Sequence, residues 1–129
     1  IVMSAVIILL FVFYAKNVDQ KAEEKFNKIS EREIQHVVLC WLNEKGKENI
    51  DHILEASLQL NQIKELKVLK GGPVIHSDRS IVDESFDIGF IMTFNSMDDM
   101  NTYIEHPIHK AFVINDLKPY TERYIVYDF

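Results

Sequence analysis

The sequence predicts an α+β fold, an antiparallel sheet carrying helices on one face, and three observations predict it. Runs rich in β-branched and aromatic residues at 36–42, 66–70, 86–94 and 122–129 read as strands. Apolar residues at helical spacing over 47–63 and from Ser96 to Leu117 read as helical regions between them. The resulting order, β-α-β-β-α-β, is that of a ferredoxin-like sheet.

The N-terminal stretch stands apart from this pattern. Ile1 to Ala15 is apolar apart from Ser4 and Tyr14 and carries no charge. A membrane-spanning helix needs about 20 apolar residues and a signal-peptide core about 7–15. The chain begins at Ile1 rather than Met, so the run is expected to be the truncated remainder of a signal anchor or a secretion signal. Ala15 suits a cleavage site, but bulky Phe13 does not, and Tyr14 and Lys16 resemble interfacial residues at the end of a membrane helix. The expectation is a retained anchor, placing the protein at a membrane or exporting it. Residues 16–35 carry mixed charges, with Phe26, Ile29 and Ile34 at roughly helical intervals, and read as a charged linker holding a short solvated helix.

The folded domain is expected over residues 36–129. In the first strand, His36, Val38, Cys40 and Leu42 share one face and Val37, Leu39 and Trp41 the other. Both faces are mostly apolar, so both need cover. The helical region that follows carries Ile50, Ile53, Leu54, Leu58 and Leu60 as its apolar stripe. The second strand is short and is stopped by Gly71-Gly72-Pro73. Residues 74–85 form a loop with at most a brief strand at Val74-Ile75. In the third strand Phe86, Ile88, Phe90, Met92 and Phe94 face one way. Ser96 caps the next helix, with Asp98 and Asp99 in its first turn and Met97, Met100 and Ile104 facing inward. An apolar outer sheet face of this size calls for a partner, and twofold self-association supplies one.

Chemically capable side chains crowd into one segment, Tyr103-x-x-His106-Pro107-x-His109-x-x-Phe112. Proline is well placed in a first helical turn, so a helix starts at Pro107 and His106 caps it. His109 then lies in that first turn, where backbone N–H dipoles favour a neutral imidazole. Tyr103 brings a phenol to the same neighbourhood.

His36-Val37-Val38-Leu39, the Phe86–Phe94 strand, the His-Pro-x-His segment and the closing Tyr124-Ile125-Val126-Tyr127-Asp128-Phe129 together resemble the stress-responsive dimeric α/β-barrel domain. The resemblance covers about residues 35 to 129. It implies a homodimer whose two sheets close into a dimeric α/β barrel. A plant branch of the family is similar to polyketide cyclases that run aldol condensations without a cofactor. The positions of its first-strand histidine, its tyrosine and its second motif histidine are filled here by His36, Tyr103 and His109. More distant relatives by fold are cofactor-independent monooxygenases. The membrane-proximal extension departs from the usual single-domain members.

Composition narrows the function classes. A net charge of −6 without a Lys/Arg stripe argues against nucleic-acid partners. One cysteine excludes an internal disulfide framework, and Cys40 reads as core. No metal site is expected: the break at Pro107 separates His106 from His109, and His52 and His76 read as solvated. No phosphate loop, nucleophilic triad or nicotinamide fingerprint occurs, and no cofactor is expected. Two functions follow. One is a membrane-tethered or exported homodimeric small-ligand-binding or stress-related module without catalysis; the other is a cofactor-independent lyase, cyclase or monooxygenase acting on a small apolar carbonyl compound. A cavity reaching His36, Tyr103 and His109 favours the second, a filled interior the first.

Overall fold

The computed structural model describes residues 4–30 and 33–129. It comprises two compact units, residues 1–32 and Glu33–Phe129.

The first unit is one helix, α1 (Ala5–Ser30). Without glycine or proline, the apolar run and the charged segment continue as a single helix rather than as an anchor followed by a short linker helix. Among the described residues no helix is long and apolar enough to cross a membrane. That overturns the expected membrane anchor and the localisation built on it. The reason lies inside α1: Lys16, Asp19, Lys21, Glu23, Glu24 and Lys25 follow the apolar stretch in the same helix, well short of the roughly 20 apolar residues a span requires. Residues 1–3 of the apolar run and 31–32 of the charged segment lie outside the described residues.

The second unit is a four-stranded antiparallel sheet, order β2-β3-β1-β4, with helices on one face, as the sequence predicts. Central β1 (Ile34–Leu42) starts before His36, because Gln35 exchanges backbone hydrogen bonds with Phe129. Its inner residues His36, Val38, Cys40 and Leu42 are buried, while Val37, Leu39 and Trp41 are half-buried on the outer face.

The helical region after β1 is divided, contrary to the single helix expected. It comprises α2 (Glu44–Lys47), α3 (Ile50–Ser57) and a 3-10 turn at Leu58–Gln62. Asn49 interrupts it by leaving helical dihedrals and donating its side-chain amide to the Lys45 carbonyl at 2.7 Å. The apolar stripe is broken accordingly, and Leu58 is exposed. Asn43 caps α2 by accepting the Gly46 N–H at 2.8 Å. Gly46 permits close approach of the chain's far end: a Cβ there would lie 2.2 Å from the Tyr120 carbonyl oxygen.

β2 (Val68–Pro73) runs through Gly71-Gly72-Pro73 instead of stopping before it. It is an edge strand, where proline is tolerated, and bare Gly71 lets the chain lie against the Phe90 ring. Residues 74–87 form a loop without the brief strand at Val74-Ile75. β3 (Ile88–Phe94) starts after Asp87, whose carboxylate accepts the Leu42 N–H at 2.7 Å.

Ser96 caps α4 (Met97–Glu105) by accepting the Asp99 N–H, and Met97 at its start is exposed rather than inward. α5 (Pro107–Phe112) passes into a π-helical turn at Val113–Leu117 and a 3-10 turn before β4 (Thr121–Asp128). The core packs Ile53, Leu60, Ile63, Met100, Tyr103 and Phe112 against the inner sheet face.

Candidate functional site

The site forms where β1, β4 and the α4–α5 junction meet. Antiparallel pairing sets His36 opposite Asp128 on one side and Met92 on the other. His36 Nδ1 donates to Asp128 Oδ1 at 2.6 Å. A carboxylate oxygen only accepts, so the Nδ1 proton is committed and Nε2 of the neutral ring carries the free lone pair. Asp128 is the functional candidate that residue types alone did not single out. Its only sequence signal is the β1–β4 register, across a separation of 92 residues.

The His-Pro segment divides its labour as the spacing suggests. His106 is extended, with φ −66° and ψ 137°, and its Nδ1 accepts the Ile108 N–H at 3.1 Å, capping α5. His109 folds back so that Nδ1 donates to the Ile104 carbonyl at 2.9 Å, which again leaves Nε2 as the acceptor. Burial pushes the His109 imidazole below its ordinary value, the Ile104 bond opposes this, and neighbouring His36 lowers it further. Desolvation, rather than the helix dipole invoked from the sequence, is thus the leading cause of its neutral character.

Tyr103 is buried, with its ring 4.9 Å from Phe94 and 4.6 Å from His109 between centroids, and it meets His36 edge-on at 6.4 Å. Burial raises the phenol's pKa, so Tyr103 stays a hydrogen-bond donor at neutral pH.

His36, Tyr103 and His109 line one cavity of about 210 Å³. Its remaining wall is apolar, including Val38, Phe90, Met92 and Phe112, with Tyr124 and Val126 contributed by β4. Among the described residues no lysine or arginine lines it. The other histidines sit elsewhere: His52 is 3.4 Å from Asp116, and exposed His76 is 3.5 Å from Glu84. Among the described residues no group of three or more His, Cys, Asp and Glu side chains is placed to hold a metal ion.

Comparison with known proteins agrees with this architecture. The stress responsive A/B barrel domain model matches residues 34–129. Among solved structures, a hydroxynitrile lyase from Passiflora edulis is similar at 21% identity and TM-score 0.66, covering 77% of this chain and 93% of that one. A dabb family protein with a ferredoxin-like fold from Mesorhizobium loti aligns at 23% identity and TM-score 0.59, covering 75% and 94%. A dimeric ferredoxin-like protein of unknown function from Thermobifida fusca aligns at 20% identity and TM-score 0.61, covering 75% and 89%. At these identities the likeness is one of fold. No curated protein matches the chain.

Proposed function

The chain belongs to the stress responsive A/B barrel domain family, and from that premise we propose that its 34–129 domain is a homodimeric, cofactor-independent acid–base enzyme of the lyase or cyclase kind. Its substrate is a compact, neutral, largely apolar carbonyl compound. One observation carries this reading: His36, Tyr103 and His109 converge on a single apolar cavity.

Each residue has a role its environment supports. His109 Nε2, unprotonated because Nδ1 is committed to Ile104, takes a proton from the carbon next to the carbonyl or from a hydroxyl on it. Tyr103 donates to the oxygen on which negative charge develops. His36, held in one tautomer by Asp128, serves as the second acid–base group. Size and charge define the substrate class. A dry cavity of about 150 Å³ holds benzene, so about 210 Å³ accepts one ring with a short substituent. With no lysine or arginine in the wall among the described residues, the cavity favours neutral compounds over carboxylates and phosphates. The similar fold of a hydroxynitrile lyase makes 2-hydroxynitriles a sensible probe class beside aldehydes and ketones.

The homodimer rests on the apolar outer face, half-buried Val37, Leu39 and Trp41 with exposed Ile91, and on dimeric proteins of the same fold. Sedimentation equilibrium should give a dimer at micromolar concentration, and Ile91→Lys should yield a folded monomer. A parent chain that sediments as a monomer removes the dimer. For the chemistry, the full chain is assayed against neutral aldehydes, ketones and 2-hydroxynitriles of one ring or less, beside His109→Ala. Turnover in the parent and its loss in the variant are expected. Binding that raises the melting temperature without turnover leaves a ligand-binding module, and no binding by any of them overturns the reading.

A further inference from the structure

We infer that the loop spanning residues 74–86 is a clasp that closes over a second copy of this chain, burying Ile75 and Ile81 in the dimer. The inference rests on the homodimer proposed above and adds to it a segment outside the sheet. Ile75 is 84% exposed and Ile81 89% exposed, more than any other large apolar side chain of the 33–129 unit. Single exposed apolar residues are ordinary, but Ile75 lines a continuous surface and Ile81 directly precedes Val82, which lines the same surface. A groove of about 460 Å³ is lined jointly by Val37, Leu39 and Ile91 of the outer sheet face and by Ile75, Val82 and Phe86 of the loop.

The loop is built to present these side chains. Ser77 N–H donates to Glu84 Oε2 at 2.8 Å, Val82 N–H to the Arg79 carbonyl at 3.1 Å, and Ser85 N–H to Asp83 Oδ1 at 2.9 Å. Val74 N–H ties its start to the Asp87 carbonyl at 2.9 Å. Such bonds fix the backbone while leaving both isoleucines in water, which disfavours the free chain unless something covers them.

Charge identifies that cover as a second copy. Lys70 and Asp83 line the same groove, and neither takes part in an ion pair among the described residues. Asp83 is steadied by Ser85 and by the charge of Arg123 rather than by Lys70, so the groove offers both a cation and an anion, and such a surface complements itself under a twofold axis.

The test is maleimide labelling of Ile81→Cys in the full chain. Cys40 is fully buried with its thiol pushed up to about 12, so only the introduced cysteine reacts. At concentrations where the chain sediments as a dimer, Ile81→Cys should label at least tenfold more slowly than the same cysteine beside Ile91→Lys. Leu58→Cys, exposed on the helical side, should label equally fast in both backgrounds. Equal rates for Ile81→Cys in dimer and monomer overturn the clasp while leaving the dimer intact. A parent chain that sediments as a monomer at these concentrations instead overturns the dimer on which the clasp depends.

Discussion

The two ends of the inner sheet face follow the same alternation of buried side chains and meet opposite fates. At one end Cys40, Leu42 and Ile88 are at most 1% exposed and are packed solid beneath α3, with Ile53 completing the layer. At the other, His36, Val38 and Met92 look into open space beside Tyr103 and His109. Filled interior is the default of a folded chain, since each unfilled gap forfeits dispersion contacts. The hollow end is also where three polar rings gather, and hydrophobic patterning alone accounts for neither feature.

The largest way to test that contrast is to hollow the filled end. Leu42→Ala should cost about 2–5 kcal/mol, measured by urea denaturation, because the β1–β4 ladder that holds Leu42 opposite Thr121 cannot collapse into the space. The hollow end should respond in activity instead. His109→Ala should lower turnover by about 10²–10⁴-fold, the usual scale for a general base, while its melting point stays closer to the parent's than that of Leu42→Ala.

His109 also gives this end a pH signature. Its folded pKa is lowered, so the folded state resists protonation more than the unfolded chain does. The associated stability is fully present above the unfolded histidine value of about 6.5 and is lost as pH falls through the lowered folded value. The difference in stability between parent and His109→Ala should therefore shrink on acidification through that window. A constant difference across it would mean that His109 does not titrate as described.

Smaller effects sharpen the comparison further. His106→Ala removes a cap three residues away and should cost about 1 kcal/mol in a thermal melt without abolishing turnover. Val38→Phe should change stability least. In a solid core an added ring costs about 1–3 kcal/mol, whereas the cavity beside Val38 receives it. Its cost should stay below that range, while ligand binding disappears.

Much of this was legible before folding. The order of elements along the chain followed from alternation and spacing, the helices on one face from that order, and His106 as a cap from the proline after it. His36, Tyr103 and His109, named from the residues and the family resemblance, line one cavity. Features set by distant contacts were not legible. Asp128 reaches His36 only through the β1–β4 register. Gly71-Gly72-Pro73 reads as a breaker until β2 proves to be an edge strand lying against Phe90. Asn49 divides the first helical region through a side-chain bond that periodicity does not register. The N-terminal apolar run was misjudged for another reason. Its length was weighed without the charges that continue the same helix.

The burial of Cys40 bears on the domain's thiol chemistry. Oxidants attack the thiolate, and a thiol whose ionisation is pushed up to about 12 presents almost none of it at neutral pH. Its position at the filled end of the inner face of β1 keeps peroxides away as well. As the sole cysteine in this sequence, it leaves the domain without a sulfenic-acid or disulfide switch of its own. Its one cysteine is therefore placed to pack rather than to react.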